Sequence, residues 1–92
     1  MDSDFEREMS NLVANGFHQM NLKNFDEALQ IFDHVIQNTT EIVTLLLAHQ
    51  CRAICKTRNL DTVLPIQQIS SIEDDLRTSL LILSEIKNSL PN

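Results

Sequence analysis

The sequence predicts an all-α protein of four antiparallel helices in one domain spanning 1–92. Three observations carry that prediction. Apolar residues recur at i, i+3 and i+4 through four separate stretches. A residue pair with capping-box spacing stands at the start of each stretch, Ser3–Glu6, Asn24–Glu27, Asn38–Glu41 and Ser70–Glu73. The links between the first three stretches are a few residues long, which makes sequential helices antiparallel neighbours.

The first helix is expected over about 4–20, with Phe5, Met9, Leu12, Val13, Phe17 and Met20 on one face. Ser3 and Glu6 have capping-box spacing at its start. The second is expected over 24–38, opened by Asn24 with Glu27 and striped by Phe25, Ala28, Leu29, Phe32, Val35 and Ile36. The third is expected over 40–58, opened by Asn38 with Glu41. Its IVTLLLAHQCRAIC run is apolar around much of its circumference, so more than one side should be covered. Lys56 and Arg58 fall in its last turn, where cations suit the carbonyl end of the dipole.

The period then breaks. Residues 59–70, NLDTVLPIQQIS, contain Pro65 and read as a long loop with one helical turn after the proline. Val63, Leu64, Ile66 and Ile69 suggest that this loop packs down onto the helices. Ser70 with Glu73 opens a last helix over about 71–89, striped by Ile72, Leu76, Leu80, Leu83, Ile86 and Leu90 and followed by Pro91.

Composition excludes several functions. A net charge of −6 opposes non-specific nucleic-acid binding and an anionic membrane surface. No apolar run approaches the roughly 18 residues of a spanning helix, and MDSDFEREMS is too acidic and polar for a signal peptide. A cytoplasmic or nuclear location with both cysteines reduced is therefore expected. Asn38-Thr39-Thr40 matches a glycosylation acceptor that has no meaning without export. A chain of this length buries roughly 60–70% of its unfolded surface, so its stability should be modest and a partner or second copy should help it.

The residues offer no catalytic set. Cys51 and Cys55 lie one turn apart near His49, yet a structural zinc site wants four ligands and no second pair follows. Buried thiols are the plainer reading. His49 and Cys51 are about 200° apart around their helix, so they cannot act as base and nucleophile. Neither metal nor cofactor is expected. Arg52 and Lys56 make a basic strip, and Asp74 and Asp75 an acidic helix start. Acids there suit the dipole. The alternative is that they meet a basic partner, or Arg52 and Lys56 of a second copy.

Gly16, Phe25, Ala28 and Phe32 stand at spacings that resemble the tetratricopeptide repeat, a helix–turn–helix unit of about 34 residues. In that family a small residue lets the hairpin helices approach, and Ala and an aromatic fill the crossing; Val35 departs from the pattern. CRAICKTRNLDT and IEDDLRTSLLI resemble a second repeat, with Ala53 at the small position and Ile72 and Ser79 where alanines are usual. The loop between those two segments exceeds the family norm, and two repeats are fewer than the three or so that normally make a stable array.

The resemblance implies a non-catalytic module, an adaptor or scaffold in a multi-protein complex, that binds a peptide or amphipathic helix of another protein. The implied groove positions are Ser10, Val13, Phe17, Met20 and Asn21 from the first helix. Leu47, Gln50, Cys51, Ile54 and Arg58 follow from the third. The co-chaperone subclass clamps a terminal carboxylate with Asn and Lys at places held here by Phe17, Cys51 and Val13, so an apolar ligand is implied instead. The plainer reading puts Phe17, Met20, Leu47 and Ile54 in the core. The alternative function is a structural subunit forming a homodimer or obligate heteromer through exposed apolar helix faces. A third resemblance, to microtubule-interacting-and-trafficking bundles, rests on the aromatic-x-x-Ala of the second helix and on Arg52-Ala53.

Overall fold

A computed structural model describes residues 2–60 and 66–91, with side chains from Asp4 onward. It is all-α, with α1 (Asp2–Asn21), α2 (Phe25–Asn38), α3 (Ile42–Arg58) and α4 (Ile66–Ser89). Each helix packs on the next, and α1 also meets α3. Alternation of direction makes α1 and α3 run the same way, as the contact between Asn21 and Arg58 at their C-terminal ends requires.

The core lies where α1, α2 and α3 meet. Met9, Val13 and Met20 of α1, Ala28, Phe32 and Val35 of α2, and Ala48 and Cys55 of α3 are buried together. Leu12, Phe25, Leu29, Ile36 and Cys51 pack around them. Every apolar position expected on α2 is thus used. On α1, Phe5 and Phe17 are 42% exposed and leave the expected stripe.

Gly16 sets the distance between α1 and α2. A Cβ built there would lie 2.6 Å from Cε1 of Phe32, whose ring is fully buried. The turn after α1 closes by a Schellman arrangement. The Asn24 N–H donates to the Gln19 carbonyl at 2.9 Å and the Lys23 N–H to that of Met20 at 3.0 Å. Lys23 holds the left-handed position, φ 67°, where glycine is usual.

The expected caps are not those observed. Asn24 makes no cap bond; its side chain donates to Oε1 of Gln19 at 2.8 Å. Asn38 closes α2 by donating to the His34 carbonyl, and α3 starts after Glu41, not Asn38. A carboxylate from another helix serves this link. Glu6 of α1 is buried and accepts from the Thr39 hydroxyl (2.7 Å), the Thr40 N–H (3.0 Å) and the Thr40 hydroxyl (2.9 Å). The Thr40 N–H, then the Thr39 hydroxyl, hold the Glu6 carboxyl below its ordinary pKa. The expected pairing of Glu6 with Ser3 involves a side chain outside those described.

α4 departs most from expectation. It begins at Ile66, so residues 66–70 of the expected loop are helical and Ser70 and Glu73 lie inside α4. A proline just before a helix is compatible with its first turn. Val63 and Leu64 lie outside the described residues. Ile66 is 81% exposed and does not pack down. The face turned to α3 carries Ile72, Asp75, Ser79, Ile82 and Ile86. Of the expected stripe only Ile72 and Ile86 reach it.

Candidate functional site

The parallel run of α1 beside α3 leaves a groove between them. It is a shallow, open depression of about 490 Å³ lined by Ser10, Val13, Ala14, Phe17, Thr44, Leu47 and Cys51. Val13 is buried and forms floor. Phe17 and Leu47 stand partly clear, 42% and 44% exposed, as walls. Burial pushes the Cys51 thiol pKa up, so this thiol stays neutral in the groove. The two hydroxyls, Ser10 and Thr44, are the only other polar side chains in the lining.

The structure therefore gathers Ser10, Val13, Phe17, Leu47 and Cys51 of the implied groove. Met20 does not belong to it: at 1% exposed it is core, because its side of α1 faces α2 and α3. Asn21 and Arg58 lie beyond the lining and bond to each other at 3.0 Å, tying α1 to α3. Gln50 is half-buried and Ile54 41% exposed, and neither lines the groove.

A second cluster joins the basic strip and one acid of the sequence within a single chain. Asp75 of α4 is 1% exposed. Its Oδ1 accepts from Nδ1 of His49 (2.9 Å) and from Nη2 (2.6 Å) and Nε (3.1 Å) of Arg52. Its Oδ2 accepts from Nε of Arg52 (3.0 Å) and Nζ of Lys56 (2.9 Å). Arg52 also bonds Asp33 of α2 at 2.7 Å, and Lys56 bonds Ser71 at 2.8 Å. Burial alone would raise the Asp75 pKa. The bonds from Arg52, Lys56 and His49, with the Arg52 charge, outweigh burial and hold it at about 2.

The expectation that Asp75 serves a helix start, or a second copy's basic strip, is thus corrected: it meets Arg52 and Lys56 of its own chain in mid-helix. The signal was available. His49, Arg52 and Lys56 fall at i, i+3 and i+7 on one face of α3, which marks a site for an acid. Chemically the cluster is closed. The carboxylate's acceptor capacity is used and water does not reach it, so Asp75 cannot touch a substrate.

Cys55 is buried, directs its thiol at the Phe25 carbonyl (3.7 Å), and has its pKa pushed up by burial. Among the described residues no three His, Cys, Asp or Glu side chains group as a metal would need. No described helix is long and apolar enough to cross a membrane. No family model, curated protein or solved structure matches the chain.

Proposed function

We propose that the protein is a non-catalytic binding module whose α1–α3 groove receives the apolar face of an amphipathic helix from another protein. The observation that carries this reading is the groove itself: Phe17 and Leu47 partly exposed over an apolar floor. A helix satisfies its own backbone hydrogen bonds, so it can enter a channel that offers few polar partners. An extended peptide would leave its backbone unpaired there. The net charge of −6 favours basic residues on the ligand's outer face.

The tetratricopeptide resemblance gains support from two features. Six of the groove's lining residues stand 34 positions apart in sequence, Ser10 and Thr44, Val13 and Leu47, and Phe17 and Cys51. That separation equals the repeat length of the family. Gly16 meets Phe32 at the hairpin crossing, where the family places a small residue against an aromatic.

The test is affinity capture followed by titration of the identified segment against purified protein. Phe17→Asp and Leu47→Asp should each weaken binding at least about tenfold while keeping helicity, since a charge is set in an apolar contact. Leu81→Asp, on the far side of α4, should bind as wild type. If the groove variants bind normally, or lose their helix signal, the groove is not the ligand site.

A further inference from the structure

The apolar face of α4 that α3 does not cover has a regular form. Ile69, Leu76, Leu83 and Leu90 recur every seven residues, and Leu80 lies beside them one turn past Leu76. They are 39%, 50%, 42%, 62% and 65% exposed. Helical geometry puts Ile69, Leu76, Leu80 and Leu83 within about 60° of one another, adjacent to the packed face carrying Asp75 and Ser79, and Leu90 follows directly after the last helical residue, Ser89. A seven-residue apolar repeat is the seam by which one helix pairs with another. None of these residues lines the α1–α3 groove.

Charges on the same face select the partner and its direction. Glu73 lies toward the N-terminal end of the stripe and Lys87 toward its C-terminal end, seven residues on either side of Leu80. Both are exposed. Two copies laid antiparallel with Leu80 at the twofold would set each Glu73 beside the partner's Lys87. The same register sets Leu76 level with Ser84, one residue past Leu83, and Ile69 level with Pro91, one residue past Leu90, of the opposite copy. Parallel pairing would set Glu73 against Glu73 and Lys87 against Lys87, which is repulsive. The face is therefore self-complementary in one direction only, as a twofold interface must be.

We infer that α4 pairs antiparallel with α4 of a second copy of this chain, with Leu80 at the symmetry axis and Glu73–Lys87 bridges closing both ends. Such an interface is closed, so it stops at two copies. It leaves the groove residues on α1 and α3 to other partners.

Sedimentation equilibrium over a concentration series tests this, with circular dichroism on every variant. Wild type should fit a monomer–dimer equilibrium with no larger species. Leu80→Asp, at a 65% exposed position, should keep its helicity and raise the dimer dissociation constant at least about tenfold. Glu73→Lys and Lys87→Glu should each raise it roughly fivefold, because two symmetric contacts become repulsive. The double exchange should restore the wild-type constant. Wild type that stays monomeric at the highest concentration overturns the inference. So does a dimer indifferent to Leu80→Asp, single exchanges without effect, or a double exchange that fails to restore. Concentration-dependent growth beyond two copies would mean a head-to-tail contact and would overturn it too.

Discussion

Removing the Asp75 carboxylate should weaken the fold by about 3 kcal/mol at neutral pH. A carboxyl that titrates at about 2 in the fold and at an ordinary 3.8 in the unfolded chain adds roughly 2 kcal/mol above both values. Breaking a buried ion pair costs about 3–5 kcal/mol, because the surviving charges lose their partner. Arg52 and Lys56 sit at the low end, since their side chains are 22% and 23% exposed and water replaces part of the loss. Arg52 also keeps Asp33. Urea unfolding of wild type and Asp75→Asn, followed by far-UV circular dichroism, measures the difference. The folded-state pKa is depressed, so the contribution is full above 3.8 and is lost as pH falls through about 2. The gap between the two proteins should be roughly constant down to about pH 5, about half of its electrostatic part should remain near pH 3, and little at pH 2. The Glu6 carboxyl, held below its ordinary pKa by Thr40 and Thr39, is common to both proteins and cancels in the difference. A gap under about 1 kcal/mol at neutral pH, or one that does not shrink on acidification, would refute the role given to this cluster.

Two further substitutions probe the α1–α2 hairpin. Gly16→Ala places a Cβ 2.6 Å from the buried Phe32 ring; overpacking of about 1–3 kcal/mol, less about 1 kcal/mol of gained helix propensity, leaves a net loss of roughly 1 kcal/mol by denaturant titration. A stabilised variant would mean that the ring can move aside. Lys23→Gly relieves the left-handed backbone at φ 67° and should raise the melting temperature by a few degrees, roughly 0.5 kcal/mol, after allowing for the glycine's larger unfolded-state entropy. An unchanged or lower melting temperature would show that the turn is held by its hydrogen bonds without strain.

The helix count and α2 were legible because each rests on a single signal. In α2 the period of the apolar residues and the packed face coincide, and all six expected positions join the core or pack against it. The caps were misread because Asn, Ser and Glu at capping-box spacing occur without the bond. Asn38 finds the carbonyl of its own helix, and the link it seemed to open is served by Glu6 from the start of α1. That contact joins residues more than thirty positions apart, and no local pattern reports it. Five of the ten groove positions converge, those on the line where α1 and α3 approach, while Met20 turns inward by less than one helical turn.

The rotation of α4 ties these findings together. Its sequence supports two faces about 90° apart, one of Ile72, Asp75, Ser79, Ile82 and Ile86, the other of Ile69, Leu76, Leu80, Leu83 and Leu90. Hydrophobicity alone favours burying the second, whose five apolar side chains are flanked by the long, solvent-reaching Glu73 and Lys87 and include no buried carboxylate. The fold buries the first, because only that rotation brings Asp75 to His49, Arg52 and Lys56, a set whose donors need an acid. The small Ser79 on the same face bonds the Asp75 carbonyl and so closes its own polar group. The consequence is a row of leucines left outside. A charged contact inside the chain thus fixes which apolar face remains for another chain. On this reasoning Asp75→Leu, which removes the charge and makes the packed face more apolar, should leave His49, Arg52 and Lys56 nothing specific to hold α4 in one rotation. Amide hydrogen exchange along α4 should then rise relative to that of α2, even where overall helicity is retained. Unchanged protection in α4 would show that packing of Ile72, Ile82 and Ile86 sets its rotation without the ion cluster.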